Sequence, residues 1–396
     1  MNRTLLPGAL VALLVAIAAG AGYVLHGVFP GKMEPGAASA RATFSPTPAE
    51  SLQAAFVGVS EHLRPAVVNV GIIQKAHPRR APGPRQGSDD PFFQDFFKQF
   101  FGQDSPSGGP EFRRPGLGSG VIFDKRGLIL TNFHVIKGAD EITVKMADKR
   151  EYTGQVVGAD PKTDLAVVRF QPDRDLTIAT LGNSDSLRVG EWAIAIGNPF
   201  GLDQTVTVGV ISATGRSDVG VATYENFIQT DASINPGNSG GALVTLDGHL
   251  IGINTAIFSR SGGNVGIGFA VPINMARLVM TQLIASGEVK RGRIGVKLRT
   301  PTAAEPGRSA DHEGAVIESV EPQSPAAQAG LAKGDVVMAA NDIPIRTSSQ
   351  LRNLVGLTPV GSKLDLRFRR GNETLAASVQ IEPLKQQKVS AQHPRR

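Results

Sequence analysis

The residues with the clearest capacity for chemistry lie in Asn235-Pro236-Gly237-Asn238-Ser239-Gly240-Gly241, a serine held between glycines. A serine hydroxyl attacks a carbonyl carbon only when a base takes its proton and N–H donors receive the charge that grows on the carbonyl oxygen. Glycines let a backbone turn its N–H groups inward, so Gly237 and Ser239 are the candidate donors of an oxyanion hole. The chemistry would be acyl transfer. Taken alone, the segment also reads as a glycine-rich β-turn with a surface serine.

The base must come from seven histidines. His26 lies in an apolar leader, and His62, His77, His249, His312 and His393 fall in segments that look like helix starts, linkers or turns. His134 follows the apolar run 128–131, within Thr131-Asn132-Phe133-His134-Val135, and can project from a strand end without joining the core. A carboxylate usually orients such a histidine. Asp164 stands at the entrance of Leu165-Ala166-Val167-Val168, after the turn Asp160-Pro161-Lys162-Thr163, although local rules do not single it out among 35 acidic residues. Cysteine is absent and no close His/Asp/Glu cluster has metal-ligand spacing, so neither a metal nor another cofactor is expected.

The elements that must position these residues are mostly strands. A chain of 396 residues is long enough for several domains, and 41% hydrophobic with 19% charged residues describes a globular protein. Short apolar runs at 66–73, 118–123, 128–131, 141–146, 152–157 and 165–170 are followed by a second set at 192–196, 205–212, 227–230, 250–256 and 266–271. Two successive sets predict paired β-barrels. A helix over 273–286 is predicted from Ala276, Val279, Met280, Leu283 and Ile284 at helical spacing, with Gly287 as its stop. Residues 291–383 form a separate unit of strands and two short helices. One helix is capped by Ser324 with Pro325 in its first turn and Gly330 at its end, and the other covers 350–355.

Residues 5–29 contain no Asp, Glu, Lys or Arg. About 20 helical residues cross the roughly 30 Å hydrocarbon layer, so the segment 1–30 favours an uncleaved hydrophobic transmembrane helix. Ala19-Gly20-Ala21 and Ala38-Ser39-Ala40 suit a signal peptidase and keep a cleaved leader as the alternative. Either way the remainder is exported, with 31–51 as a flexible tether. The net charge of +6 does not point to nucleic acid, because the basic residues gather in polar stretches such as 77–85 and the tail 384–396.

Thr131-Asn132-Phe133-His134-Val135, Asp164-Leu165-Ala166-Val167, Gly197-Asn198-Pro199-Phe200-Gly201 and Gly237-Asn238-Ser239-Gly240-Gly241-Ala242-Leu243 occur in an order and spacing that resembles the HtrA (Do-type) serine proteases. The resemblance covers nearly all of 52–383. It implies a mainly β chain, with a chymotrypsin-like double β-barrel over 52–287 and one α+β PDZ domain over 291–383. It also implies Ser239 as nucleophile, His134 as general base, Asp164 as the residue orienting that histidine, and Gly237 and Ser239 as oxyanion donors. Arg293-Ile294-Gly295-Val296 is similar to the family's carboxylate-binding loop, so peptide carboxy termini are expected partners at Ile294, Gly295 and Val296.

The function implied is an ATP-independent endopeptidase of the bacterial periplasm, acting on unfolded or membrane-bound proteins as a homotrimer or larger assembly. One PDZ domain and a candidate anchor resemble the DegS-like branch. The insertion 74–115, with Phe92, Phe96 and Phe100 beside Phe93, Phe97 and Phe101, resembles instead a loop of members with two PDZ domains. Six positions before Ser239 stands Ser233, then Ile234; with Phe258 as a second wall, these predict small or medium apolar residues before the cut. The alternative from another class is a holdase chaperone or peptide-binding scaffold whose protease site is idle.

Overall fold

The computed structural model describes residues 48–75, 111–199, 204–217, 219–257, 264–301 and 314–384. Helix α1 (Pro48–Leu63) leads into β1 (Val67–Lys75), β2 (Glu111–Asp124), β3 (Leu128–Thr131), a single-turn α2 (Phe133–Ile136), β4 (Glu141–Lys145), β5 (Glu151–Asp160) and β6 (Leu165–Arg169). The six strands close into an antiparallel barrel in the order β1-β2-β3-β6-β5-β4. Strands β3 and β6 carry continuous apolar runs because both of their faces are covered. Ile129, Ala166 and Val168 fill one cluster, while Leu128, Leu130, Leu165 and Val167 face another. Alternation along a strand sends successive side chains to opposite faces, so two buried faces demand an unbroken run.

A second barrel follows from β7 (Thr180–Leu181), β8 (Trp192–Gly197), β9 (Thr205–Arg216), β10 (Phe227–Thr230), β11 (Ala242–Val244), β12 (His249–Ile257) and β13 (Gly268–Pro272). Its order is β11-β8-β9-β10-β13-β12, closed by the β11–β12 pair, with β7 added beside β12. Helix α3 (Ile273–Ser286) buries Ile273, Met275, Ala276, Val279, Met280 and Leu283, and Gly287 at φ 75° sends its N–H to the Leu283 carbonyl. Ile284, expected on the buried stripe, is 36% exposed because it lies at the solvent edge of that stripe.

The carboxy-terminal unit contains β14 (Gly292–Arg293), β15 (Val296–Arg299), β16 (Ala315–Val320), α4 (Pro325–Gln328), β17 (Val336–Ala340), β18 (Ile343–Pro344), α5 (Ser348–Leu357), β19 (Lys363–Arg370), β20 (Glu373–Gln380) and β21 (Glu382–Pro383). Its main sheet runs β15-β16-β17-β19-β20 over a core that includes Ile294, Ile317, Leu351 and Phe368. Ser324 caps α4 by accepting the Ala327 N–H. Helix α5 starts at Ser348 rather than Gln350, because Thr347 accepts the Gln350 N–H and so caps two residues earlier.

Two expectations need adjustment. The insertion is shorter than 74–115, since Lys75 pairs with Glu111 and Ile72 with Arg114, prolonging the β1–β2 ladder. Strands β7 and β11 were not expected: two and three residues are too few to show a period. The segment 1–30, the aromatic ladder at 92–101, Phe258 and the tail from 385 lie outside the described residues. Among the described residues, no helix is long and apolar enough to cross a membrane.

Candidate active site

The two barrels meet around His134, Asp164 and Ser239. His134 sits not at the strand end but on α2, two residues past Asn132, whose extended backbone begins the turn. Its Nδ1 lies 2.7 Å from Asp164 Oδ2, and its backbone N–H donates to Asp164 Oδ1 at 3.0 Å. One carboxylate therefore fixes both the ring and the main chain of the histidine. An ionised Asp164 accepts, so Nδ1 carries the proton and Nε2 keeps the lone pair that a base needs. Both side chains are nearly buried, at 8% and 3% exposure.

Asp164 reaches this geometry through a left-handed backbone at φ 57°, a conformation that aspartate tolerates better than most residues. Its carbonyl accepts the Phe133 N–H at 3.1 Å and Asn132 Nδ2 at 2.9 Å. Asn132 Nδ2 also reaches Thr255 Oγ1 at 3.0 Å, and Ser239 Oγ donates to the Thr255 carbonyl at 3.0 Å. Thr255 on β12 thus ties the histidine segment of one barrel to the serine turn of the other. Nothing in the sequence singles out Asn132 or Thr255, because their partners are 32 and 16 or more residues away.

The serine turn is held by its carbonyls. Asn238 accepts the Gly241 N–H at 2.9 Å and donates its own N–H to Asn235 at 2.9 Å. Gly237, at φ 92°, packs where a Cβ would come within 2.5 Å of Pro199, so only glycine fits. No acceptor among the described residues takes the Gly237 or Ser239 N–H, which leaves both as donors for an incoming carbonyl oxygen.

The residues named for a substrate pocket fare differently. Ile234 is 2% exposed and belongs to the second barrel's core with Ile211, Ile228 and Ile257, its Cδ1 lying 2.9 Å from where a Cβ on Gly268 would stand. Ser233 is half-buried and its carbonyl accepts Thr207 Oγ1 at 2.8 Å. A cavity of about 770 Å³ lies elsewhere, bounded by Leu181, Trp192, Leu246 and Arg277. Among the described residues no group of three His, Asp or Glu is placed to hold a metal.

At the carboxy-terminal unit, the Ile294 carbonyl accepts the Ala326 N–H at 3.0 Å and the Gly295 carbonyl accepts the Glu321 N–H at 2.9 Å. With the Ile294 and Gly295 carbonyls taken from one side, the N–H groups of the same peptide planes, those of Gly295 and Val296, face the other, at the start of β15. Gly295 has φ 79°, and a Cβ there would lie 2.3 Å from Ser324 Cβ. This loop can present backbone donors to a carboxylate.

The unit is wired to the barrels. Arg291 pairs with Asp160 while lying 4.5 Å over the Tyr224 ring, and Asn353 on α5 donates to the Glu225 carbonyl at 2.5 Å. Asp160 opens the turn that ends at Asp164, and the Tyr224 N–H donates to Lys162 within that turn at 2.9 Å.

The trypsin-like peptidase domain family matches residues 118–253, and the PDZ domain family matches residues 292–381. The chain is 42% identical over 346 residues to the periplasmic serine endoprotease DegP of Salmonella typhimurium, covering 84% of this chain and 73% of that protein. It is 43% identical over 336 residues to the periplasmic pH-dependent serine endoprotease DegQ of Escherichia coli, covering 84% and 71%. Among solved structures, the HtrA-type protease AlgW with a decapeptide superposes with a TM-score of 0.60 at 40% identity, over 84% of this chain and 99% of that one.

Proposed function

This chain belongs to the HtrA family of periplasmic serine endoproteases, and on that premise we propose that Ser239, His134 and Asp164 are its catalytic triad. The chain is an ATP-independent serine endopeptidase with one PDZ domain. The observation that carries the triad is the double grip of Asp164 on His134, through the ring at 2.7 Å and the backbone at 3.0 Å. Ser239 Oγ–H turns from the Thr255 carbonyl to His134 Nε2, which takes the proton as the oxygen attacks the peptide carbonyl. The tetrahedral oxyanion is held by the Gly237 and Ser239 N–H groups. His134 then gives the proton to the leaving amine, and water repeats the cycle on the acyl-enzyme.

Digestion of an unfolded protein such as casein tests this reading against a holdase with an idle site. Cleavage by the wild type that disappears in Ser239→Ala supports the enzyme, and binding without cleavage by the wild type supports the scaffold.

The cut should follow small or medium apolar residues. The half-buried Ser233 offers no carboxylate to receive a Lys or Arg side chain, and a buried cation without a partner is strongly disfavoured. A peptide library cut chiefly after Lys or Arg would overturn this specificity.

The PDZ domain would take carboxy-terminal peptides on the Ile294–Gly295–Val296 loop and gate the protease. Gating has a physical route, since α5 touches the Glu225 segment through Asn353 and Arg291 joins the unit to the turn before Asp164. A ligand shifts such an equilibrium only by binding one state more tightly. A free carboxy-terminal peptide should therefore raise turnover of a short reporter several-fold. Gly295→Ala, which forces a Cβ into Ser324, should abolish that rise and leave the basal rate in place. Equal stimulation of both proteins, or none of the wild type, would refute gating through this loop.

Localisation in the periplasm follows the family. Anchoring by 1–30 and assembly as a homotrimer are further parts of the proposal. An assembly is supported by exposed apolar side chains on one side of β8 and β9: Trp192 is 41% exposed with its ring 5.4 Å from Phe56, and Val208 is 40% exposed.

A further inference from the structure

We infer that Ser119 is a positioning residue for the oxyanion hole, acting across the barrel interface on the turn that carries Ser239. The inference rests on Ser239 as the nucleophile. Ser119 lies on β2, is 0% exposed, and pairs in register with Asn69 on β1. It belongs to the first barrel, yet two of its atoms make three hydrogen bonds to the second. Its N–H donates to the Ser239 carbonyl at 2.7 Å, its Oγ donates to the Gly237 carbonyl at 2.6 Å, and the same Oγ accepts the Asn198 N–H at 2.8 Å. The direction of the hydroxyl proton is not a free choice. Asn198 can only donate and Gly237 O can only accept, so the single proton must point at Gly237.

A peptide group is planar, so fixing its carbonyl fixes the N–H on its opposite side. The Asn238 carbonyl is held by Gly241, which sends the Ser239 N–H towards the substrate side. Gly237 is the most permissive residue of the turn, and its carbonyl is held by the Ser119 hydroxyl, which sets ψ at that residue. Ser119 therefore grips the 237–238 and 239–240 peptide planes, which flank the plane carrying the Ser239 N–H and adjoin the one carrying the Gly237 N–H, and so fixes the frame from which both oxyanion donors are aimed. Among the described residues, its hydroxyl is the side-chain donor in that set. Close contact is possible because Gly240 has no Cβ: one would stand 2.1 Å from the Ser119 carbonyl. That carbonyl is itself held by Thr131 Oγ1 at 2.6 Å, on the strand that leads to His134.

The test is the steady-state kinetics of Ser119→Ala on a reporter peptide, with the affinity of a peptidyl aldehyde, whose adduct needs the oxyanion hole. Misdirecting a donor should cost less than the about 10²–10³-fold of losing one, so kcat should fall by about 10- to 100-fold while KM stays within about 3-fold. Aldehyde affinity should fall in parallel with kcat/KM. The control is Asn69→Ala, which removes bonds to Gly118 O at 3.2 Å and Asn198 O at 2.7 Å but none to residues 237–239. It should lose comparable thermal stability with kcat within about 3-fold of wild type. Should Ser119→Ala not fold, Ser119→Cys carries the comparison, its weak S–H donor giving an intermediate kcat. Equal losses of kcat in the Ser119 and Asn69 variants, or a loss confined to KM, would reduce Ser119 to a staple between barrels and overturn the inference. Ser239→Ala run alongside separates the failures. Turnover in that variant refutes the nucleophile and the inference together, whereas its inactivity beside wild-type kcat in Ser119→Ala refutes the inference alone.

Discussion

Ser239→Ala should lower turnover of an unfolded protein by about 10⁶-fold, and His134→Ala and the double variant should fall to nearly the same floor. The three outcomes converge because the residues act as one device. Without the hydroxyl there is nothing for the imidazole to deprotonate, and without the imidazole the hydroxyl keeps its proton. What remains is whatever the Gly237 and Ser239 N–H groups and substrate binding supply, about 10³–10⁴-fold over water in comparable sites. Stability should change little in Ser239→Ala, since Oγ makes one hydrogen bond, to the Thr255 carbonyl at 3.0 Å. Progress curves with casein and a thermal melt measure both quantities. A double variant far below either single one, or near-wild-type turnover in a single one, would dissolve the triad.

Arg291→Ala should destabilise the protein by about 3–5 kcal/mol, the usual cost of removing one partner from a buried ion pair. The Arg291 and Asp160 side chains are 4% and 7% exposed, so the Asp160 carboxylate left behind has little water to replace the guanidinium. The face of Arg291 also covers the Tyr224 ring. Yet the pair is incompletely satisfied, because Nε and Nη1 of Arg291 have no hydrogen-bond partner among the described residues. Its net worth against an apolar substitute is therefore small, and Arg291→Met combined with Asp160→Asn should recover most of the loss. Function should separate the two variants as well. Asp160 opens the turn that ends at Asp164, so the single variant should lose stimulation by a carboxy-terminal peptide, while the double one keeps the fold without the ion pair. Urea denaturation and the reporter assay test this, and an Arg291→Ala protein within about 1 kcal/mol of wild type would show that the pair carries no such weight.

Much of the barrel framework was legible because strands buried on both faces write continuous apolar runs. The runs 128–131 and 165–170 became β3 and β6, whose side chains alternate between two clusters. Helix α3 was legible at both ends, since its apolar stripe has helical period and Gly287 takes the left-handed stop. Short elements were not. Strand β11, directly after the serine turn, has three residues and closes the second barrel by pairing with both β8 and β12. Its position depends on partners before and after it in the chain, and three residues carry no period to announce that.

The sequence by itself pointed to Ser239 and His134, because a glycine-flanked serine and a histidine after an apolar strand are local patterns, whereas Asp164 was picked out only by the family resemblance. It pointed to the family through the conjunction of the segments 131–135, 164–167, 197–201 and 237–243. Only the tertiary structure decided that Asp164 grips His134 twice, that Thr255 joins the two barrels at the serine, that Ile234 is core, and that Ser119 holds the Gly237 and Ser239 carbonyls. Each of these joins residues far apart in the chain, as Ser119 and Gly237 are at 118 positions. A hydrogen bond needs its partners within about 3 Å and in line, and no local preference of the chain encodes which distant carbonyl will arrive there.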